Sequence, residues 1–148
     1  MNRLEEMVDD KKLTPEEIAV ITETWLMVGD SVEMAIDLYN RLFYLHPSIR
    51  PLFKENIQLQ ARKFTAHIGY VVTHLNEWSR IQPDINELGQ RHTGYEVKTA
   101  HYEYVGDALI FALQRHLKGK WNEQVELAWI KFYRLVANQM MGSHHHPN

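Results

Sequence analysis

The chain has 148 residues, which fits one domain, and a domain of this size buries roughly two-thirds of the surface its unfolded form exposes. A net charge of -3 leaves no electrostatic footprint for nucleic acid. The absence of cysteine excludes disulfides, thiolate metal sites and a cysteine nucleophile.

The opening MNRLEEMVDDKKLTPEE is charged and lacks the apolar core of a signal peptide. No run approaches the ~20 apolar residues of a membrane span, so a soluble, cytoplasmic protein without a membrane partner is expected. Residues 1–13 read as a charged extension. Thr14-Pro15-Glu16-Glu17 is a helix start: Thr14 can accept a backbone N–H, Pro15 suits the first helical position, and Glu17 can reach back to Thr14. Ile18, Ile21, Trp25 and Val28 follow at helical spacing until Gly29-Asp30-Ser31 breaks the run. A second amphipathic stretch carries Val32, Ala35, Ile36, Tyr39, Leu42 and Phe43. Pro47 and Pro51 then predict irregular chain through HPSIRPLF, because proline lacks an N–H and restricts the residue before it.

A long helix is expected over about 57–78, with Gln60, Phe64, His67, Ile68 and Val71 on related faces. Pro83 predicts the opening of a shorter segment that ends near His92. Two further helices are expected over about 99–117 and 122–141, before a C-terminal tail over 142–148 that carries three histidines. No strand pattern competes, so the fold class is all-α.

Several chemistries fail on spacing. There is no His-Glu-x-x-His, no Glu three residues before a His, no phosphate loop and no Gly-x-Ser-x-Gly elbow. What remains is single histidines in apolar surroundings, and LGQRHTGYEVKTAHYEYVG holds two of them, His92 and His101. Residue type alone does not choose between a ligand and a satisfied core histidine.

The stretches LTPEE, YNRLFYLHPSIRPLF (39–53), QARKF (60–64), LGQRH (88–92), AHYEYVGDAL (100–109) and AWIKFY (128–133) resemble, in this order, the globin family. The wording is similar to bacterial single-domain globins related to the haem domain of flavohaemoglobins, most specifically in HP-x-x-R-PLF and AHY-x-x-VG. The resemblance implies about six to eight helices around a haem pocket, with residues 14–141 as the globin domain and iron protoporphyrin IX (haem b) as cofactor.

By position, the resemblance makes His92 the proximal iron ligand and sets Tyr102 beside it, while His101 has no assigned role. A neutral imidazole suits haem iron, and its second nitrogen needs an acceptor, for which a carbonyl one turn earlier, near Leu88, is the candidate. Phe53 corresponds to the corner phenylalanine against the porphyrin, and Tyr39 and Gln60 fall on the distal side with Phe64 one turn after Gln60. Val97 is placed among the haem contacts. Lys63 is the candidate for a haem propionate, with Arg91 and Lys98 weaker ones of the same kind, and Trp129, Phe132 and Tyr133 are expected in the pocket floor or the core.

A phenol and an amide on the distal side favour dioxygen over carbon monoxide, because dioxygen carries more negative charge when bound. One feature departs from the flavohaemoglobin pattern. The glutamate that the family keeps in its last helix would fall close to His144, and no Asp or Glu occurs after Glu126. The expected function is reversible dioxygen binding for storage or delivery, with carbon monoxide, nitric oxide and nitrite as further small ligands. The alternative is nitric oxide dioxygenation or nitrite reduction with a separate reductase. A sensor module, haem-based or haemless, ranks third.

Overall fold

The computed structural model describes residues 12–29, 31–94 and 98–142. Among them the chain forms six α-helices and no strand: α1 Pro15–Val28, α2 Val32–Leu45, α3 Ile57–Thr73, α4 Trp78–Gly94, α5 Thr99–Leu117 and α6 Glu123–Gly142. Short 3-10 segments lie at Pro47–Leu52, Leu75–Glu77 and Lys118–Lys120. The expected all-α architecture is therefore the observed one. Among the described residues no helix is long and apolar enough to cross a membrane.

Local chemistry sets several helix ends. The Thr14 N–H donates to Glu17 Oε1 at 2.7 Å, and the Glu17 N–H donates to Thr14 Oγ1 at 3.2 Å, the reciprocal pair its sequence predicts. Asn56 accepts from the Leu59 N–H at 2.8 Å to start α3, and Asn122 accepts from the Val125 N–H at 2.9 Å to start α6. Leu13, assigned to the extension by its sequence context, is buried in the core. Among the described residues, packing thus begins one residue before α1's cap.

Three expectations need correction. The helix expected over 57–78 stops at Thr73, where His74 closes the last turn: its N–H reaches the Tyr70 and Val71 carbonyls, and its Nδ1 lies 2.8 Å from the Tyr70 carbonyl. Leu75, buried in the turn that follows, fixes the reversal. Second, α4 runs through Pro83 instead of opening at it. Proline inside a helix costs about 3 kcal/mol. Ile81 and Ile85 flank it, 0% and 2% exposed, and burial of such side chains contributes about 1.5–3 kcal/mol each, which offsets the loss while the proline ring faces solvent. Third, HPSIRPLF is not irregular. Pro47–Leu52 is a 3-10 run with Pro51 inside it, closed by the Phe53 N–H on the Arg50 carbonyl at 3.0 Å.

α2 packs on α5 and α3, α4 packs on α6, and α1 lies across α6, α3 and α5. Trp129 and Phe132 of α6 occupy the centre with no exposure, among Ile21, Met34, Leu38 and Leu109. The Trp129 indole N–H donates to Thr24 Oγ1 at 2.8 Å, and that hydroxyl donates to the Val20 carbonyl at 2.7 Å, so these two buried polar groups are paired. Lys131, also buried, meets Glu17 Oε1 at 2.7 Å.

The site depends on how α4 is held. Gly89 lies where a Cβ would run into the Met140 backbone, so α4 and α6 meet main chain to main chain. By contrast, among the described residues α4 packs broadly on neither α3 nor α5. The helix carrying His92 is therefore seated on α6 and stands apart from α3.

Candidate functional site

His92 is in the last turn of α4, half-buried, with Nδ1 2.8 Å from the Leu88 carbonyl oxygen. A carbonyl only accepts, so Nδ1 carries the proton and Nε2 keeps its lone pair. Burial holds the imidazole below the usual histidine range, against the Leu88 bond, which acts the other way. The ring is thus neutral, oriented and able to donate an electron pair, the state a metal-binding histidine needs.

Tyr102 of α5 lies beside it, ring centroids 6.4 Å apart, and burial raises its phenol above the ordinary range. The Tyr133 hydroxyl donates to the Tyr102 carbonyl at 2.6 Å, and its ring fills the space over Gly106. Burial first, then Tyr102, Asp107 and Tyr39, push the Tyr133 phenol upward. Tyr133 therefore ties α6 to the backbone next to His92. Trp129 and Phe132 belong to the central core.

On the other side, Tyr39 of α2 is 5% exposed and sits among aromatic rings. Its centroid lies 5.5 Å from Phe53 and 6.1 Å from Phe64, both edge-on, and 6.0 Å from Phe43. Burial alone raises its phenol, and among the described residues its hydroxyl has no hydrogen-bond partner. The corner holding Phe53 is clamped by Arg50, whose guanidinium lies 4.9 Å over the Phe43 ring and donates to the Phe53 carbonyl at 2.9 Å. The arginine of HPSIRPLF thus has a mechanical role that spacing alone does not reveal. Gln60 is half-buried in the first turn of α3, with Phe64 one turn beyond it.

The structure brings Tyr39, Phe53 and Phe64 together, and separately His92, Leu88 and Tyr102. Lys63, the candidate for a haem propionate, has its ammonium bonded to Glu55 Oε1. Sequence could not show this, because Glu55 approaches through the corner geometry. Arg91 and Lys98 are exposed. His101 does have a role, since its Nδ1 accepts the Lys98 N–H at 3.0 Å and helps to start α5. Val97 lies outside the described residues, as does His144 with the rest of residues 143–148.

His67 escaped the sequence reading of the site. It follows Phe64 by three residues on the same face of α3. Although the residue is exposed overall, its imidazole is held below the usual range, first by desolvation and then by the charges of Arg91, His92 and Lys63. The charges at the end of α4 that bears His92 thus reach it. The i, i+3 relation to Phe64 was the available signal.

A family model described as Globin matches residues 36–140. The chain belongs to the globin family. Neuroglobin-1 of Oncorhynchus mykiss is 28% identical to this globin over 145 residues, spanning 88% of this chain and 91% of that protein. Neuroglobin of Danio rerio is 26% identical with the same coverage. The deoxy form of hemoglobin from Dasyatis akajei has a TM-score of 0.79 at 22% identity, covering 90% of this chain and 99% of that one, which shows a shared fold. The narrower likeness to bacterial flavohaemoglobins has no counterpart among these fish proteins.

Globin membership implies a haem and small gaseous ligands such as dioxygen. The residues of this globin fit such a group. The fit rests on a half-buried imidazole with a fixed tautomer, whose Nε2 has no partner among the described residues, on a helix that stands apart from α3, and on a cluster in which Phe53 and Phe64 meet the Tyr39 ring edge-on.

Proposed function

We propose that this globin binds one haem b through His92 and reversibly binds dioxygen. The observation that carries the proposal is the Nδ1–Leu88 bond of 2.8 Å, which leaves Nε2 as a neutral donor. When bound, haem would supply an iron for His92 to hold, able to take up a gas. With no cysteine in the chain, no thioether link to the porphyrin can form, which supports the b type.

The remaining tasks fall to side chains of this chain. The Leu88 carbonyl fixes the tautomer and direction of His92, and Tyr102 packs against its ring. Phe53 and Phe64 exclude water from the distal side and hold Tyr39 upright between them. Burial keeps the Tyr39 hydroxyl protonated, so it acts as a donor, and Gln60 adds an amide on the same side. A donor to a charged acceptor contributes about 1.5–3 kcal/mol, which favours dioxygen over less polar gases.

The enzymatic alternative is nitric oxide dioxygenation or nitrite reduction with a separate reductase. Against a peroxidase-like role stands the acceptor of His92, a neutral carbonyl in place of a carboxylate. Residues 14–141 are proposed as the globin domain. HPSIRPLF and AHYEYVG support a bacterial single-domain type, and a cytoplasmic location is proposed with it.

Absorption spectra of the purified protein in ferric, ferrous, dioxygen and carbon monoxide forms test the proposal. A stable dioxygen form with slow release is expected. Failure to take up haem would overturn it, and rapid turnover of nitric oxide or nitrite with a supplied reductant would favour the enzymatic role.

A further inference from the structure

A groove of about 460 Å³ lies between the C-terminal end of α1 and the middle of α3. Trp25, Leu26 and Gly29 form one wall; Thr65, Ala66, Gly69 and Thr73 form the other. At about 100° per residue these α3 positions lie on the face turned away from Gln60, Phe64 and His67, so the groove is separate from the candidate haem site. Its rim leaves apolar surface in water, with Leu26 77% exposed and its neighbour Met27 57% exposed.

We propose that the groove is the docking site of the chain's own N-terminal segment, with Leu4 as the side chain that fills it. Eleven residues precede Lys12, and within this charged stretch the apolar ones are Met1, Leu4, Met7 and Val8. The length suffices. α1 has 14 residues and is about 21 Å long at 1.5 Å per residue. The segment joins it at the end away from the groove. Leu4 lies eight residues before Lys12, and extended chain covers about 26–29 Å over that distance. Val8, four residues away, reaches only about 14 Å, short of the groove.

A second copy is the weaker occupant. A stable interface takes about 20–30 residues a side, whereas two large apolar side chains, Leu26 and Met27, stand exposed here. The docked segment braces α3 from behind, on the helix whose opposite face carries Gln60 and Phe64.

The lack of native cysteine makes the test direct. In the full chain, Leu4→Cys with Ala66→Cys is expected to form an intramolecular disulfide on mild oxidation, independent of protein concentration. Leu4→Cys with Asn40→Cys, on the groove between α2 and α5, is expected to stay open. Leu4→Asp alone is expected to lower Tm by about 3–6 °C and to shift the Gly69 and Thr73 amide resonances. Equal bridging at both sites, no bridging at Ala66, or unmoved amides would each overturn the proposal. Concentration-dependent intermolecular bridging would assign the groove to a second copy instead.

Discussion

The Leu88 carbonyl oxygen lies 2.8 Å from His92 Nδ1, one helical turn earlier on α4. A backbone group cannot rotate away as a side chain can, so the imidazole is aimed by the helix itself. His92→Ala is expected to lose haem or hold it weakly, whereas His101→Ala keeps the Soret band. The second change removes the bond to the Lys98 N–H, a capping loss of about 1 kcal/mol. Haem titration and thermal melts of both variants check this; an inverted pattern would displace His92 as the ligand.

The same bond sets the electron richness of the ring. A neutral carbonyl polarises imidazole less than a carboxylate does. The ferrous iron–histidine stretch, read by resonance Raman, is expected at the low frequency of an oxygen carrier. A peroxidase-like high frequency would mean that a carboxylate reaches His92 in the haem-loaded protein.

Tyr39→Phe keeps a ring that touches Phe43, Phe53 and Phe64 and removes only the hydroxyl. Loss of about 1.5–3 kcal/mol predicts dioxygen release faster by about tenfold to hundredfold, with carbon monoxide release changing much less. Gln60→Leu acts in the same direction, and the double variant is non-additive if both side chains serve one network. Stopped-flow release rates decide; equal effects on the two gases would indicate a steric change.

Glu17 links the cap of α1 to buried Lys131 of α6. Burial pushes its carboxyl up, but the bonds to Lys131 and Thr14 outweigh this and lower it below its ordinary 4.5. The unfolded chain then binds more protons, so this contribution to stability is present above about pH 4.5 and fades as the pH falls through the lowered value. Glu17→Gln leaves the lysine buried without its counter-charge, and a loss of about 3 kcal/mol at pH 7 is expected. Urea denaturation at pH 7 and pH 3.5 checks both parts: the gap between natural protein and variant narrows in acid.

The helix starts were legible because caps are local: Thr14 and Glu17 lie three residues apart and need nothing else. Leu88 as the acceptor was legible for the same reason. The helix through Pro83 was not, since what outweighs the proline is the burial of Ile81 and Ile85 against a helix some fifty residues later. Lys63 went to Glu55 through a corner whose 3-10 path depends on Arg50. His67 was hidden because its neighbours, Arg91 and His92, come from another helix.

Arg50 itself is exposed, yet it grips one phenylalanine of the distal cluster by the ring and another by the main chain. The inner surface is thereby governed from outside. Any solute, neighbouring protein or substitution that draws the guanidinium into solvent slackens the corner under Phe53 and alters how tightly Tyr39 is wedged, with no atom in the pocket replaced. If Tyr39 faces the bound gas as proposed, substitution of exposed Arg50 is expected to change gas affinity from outside the pocket.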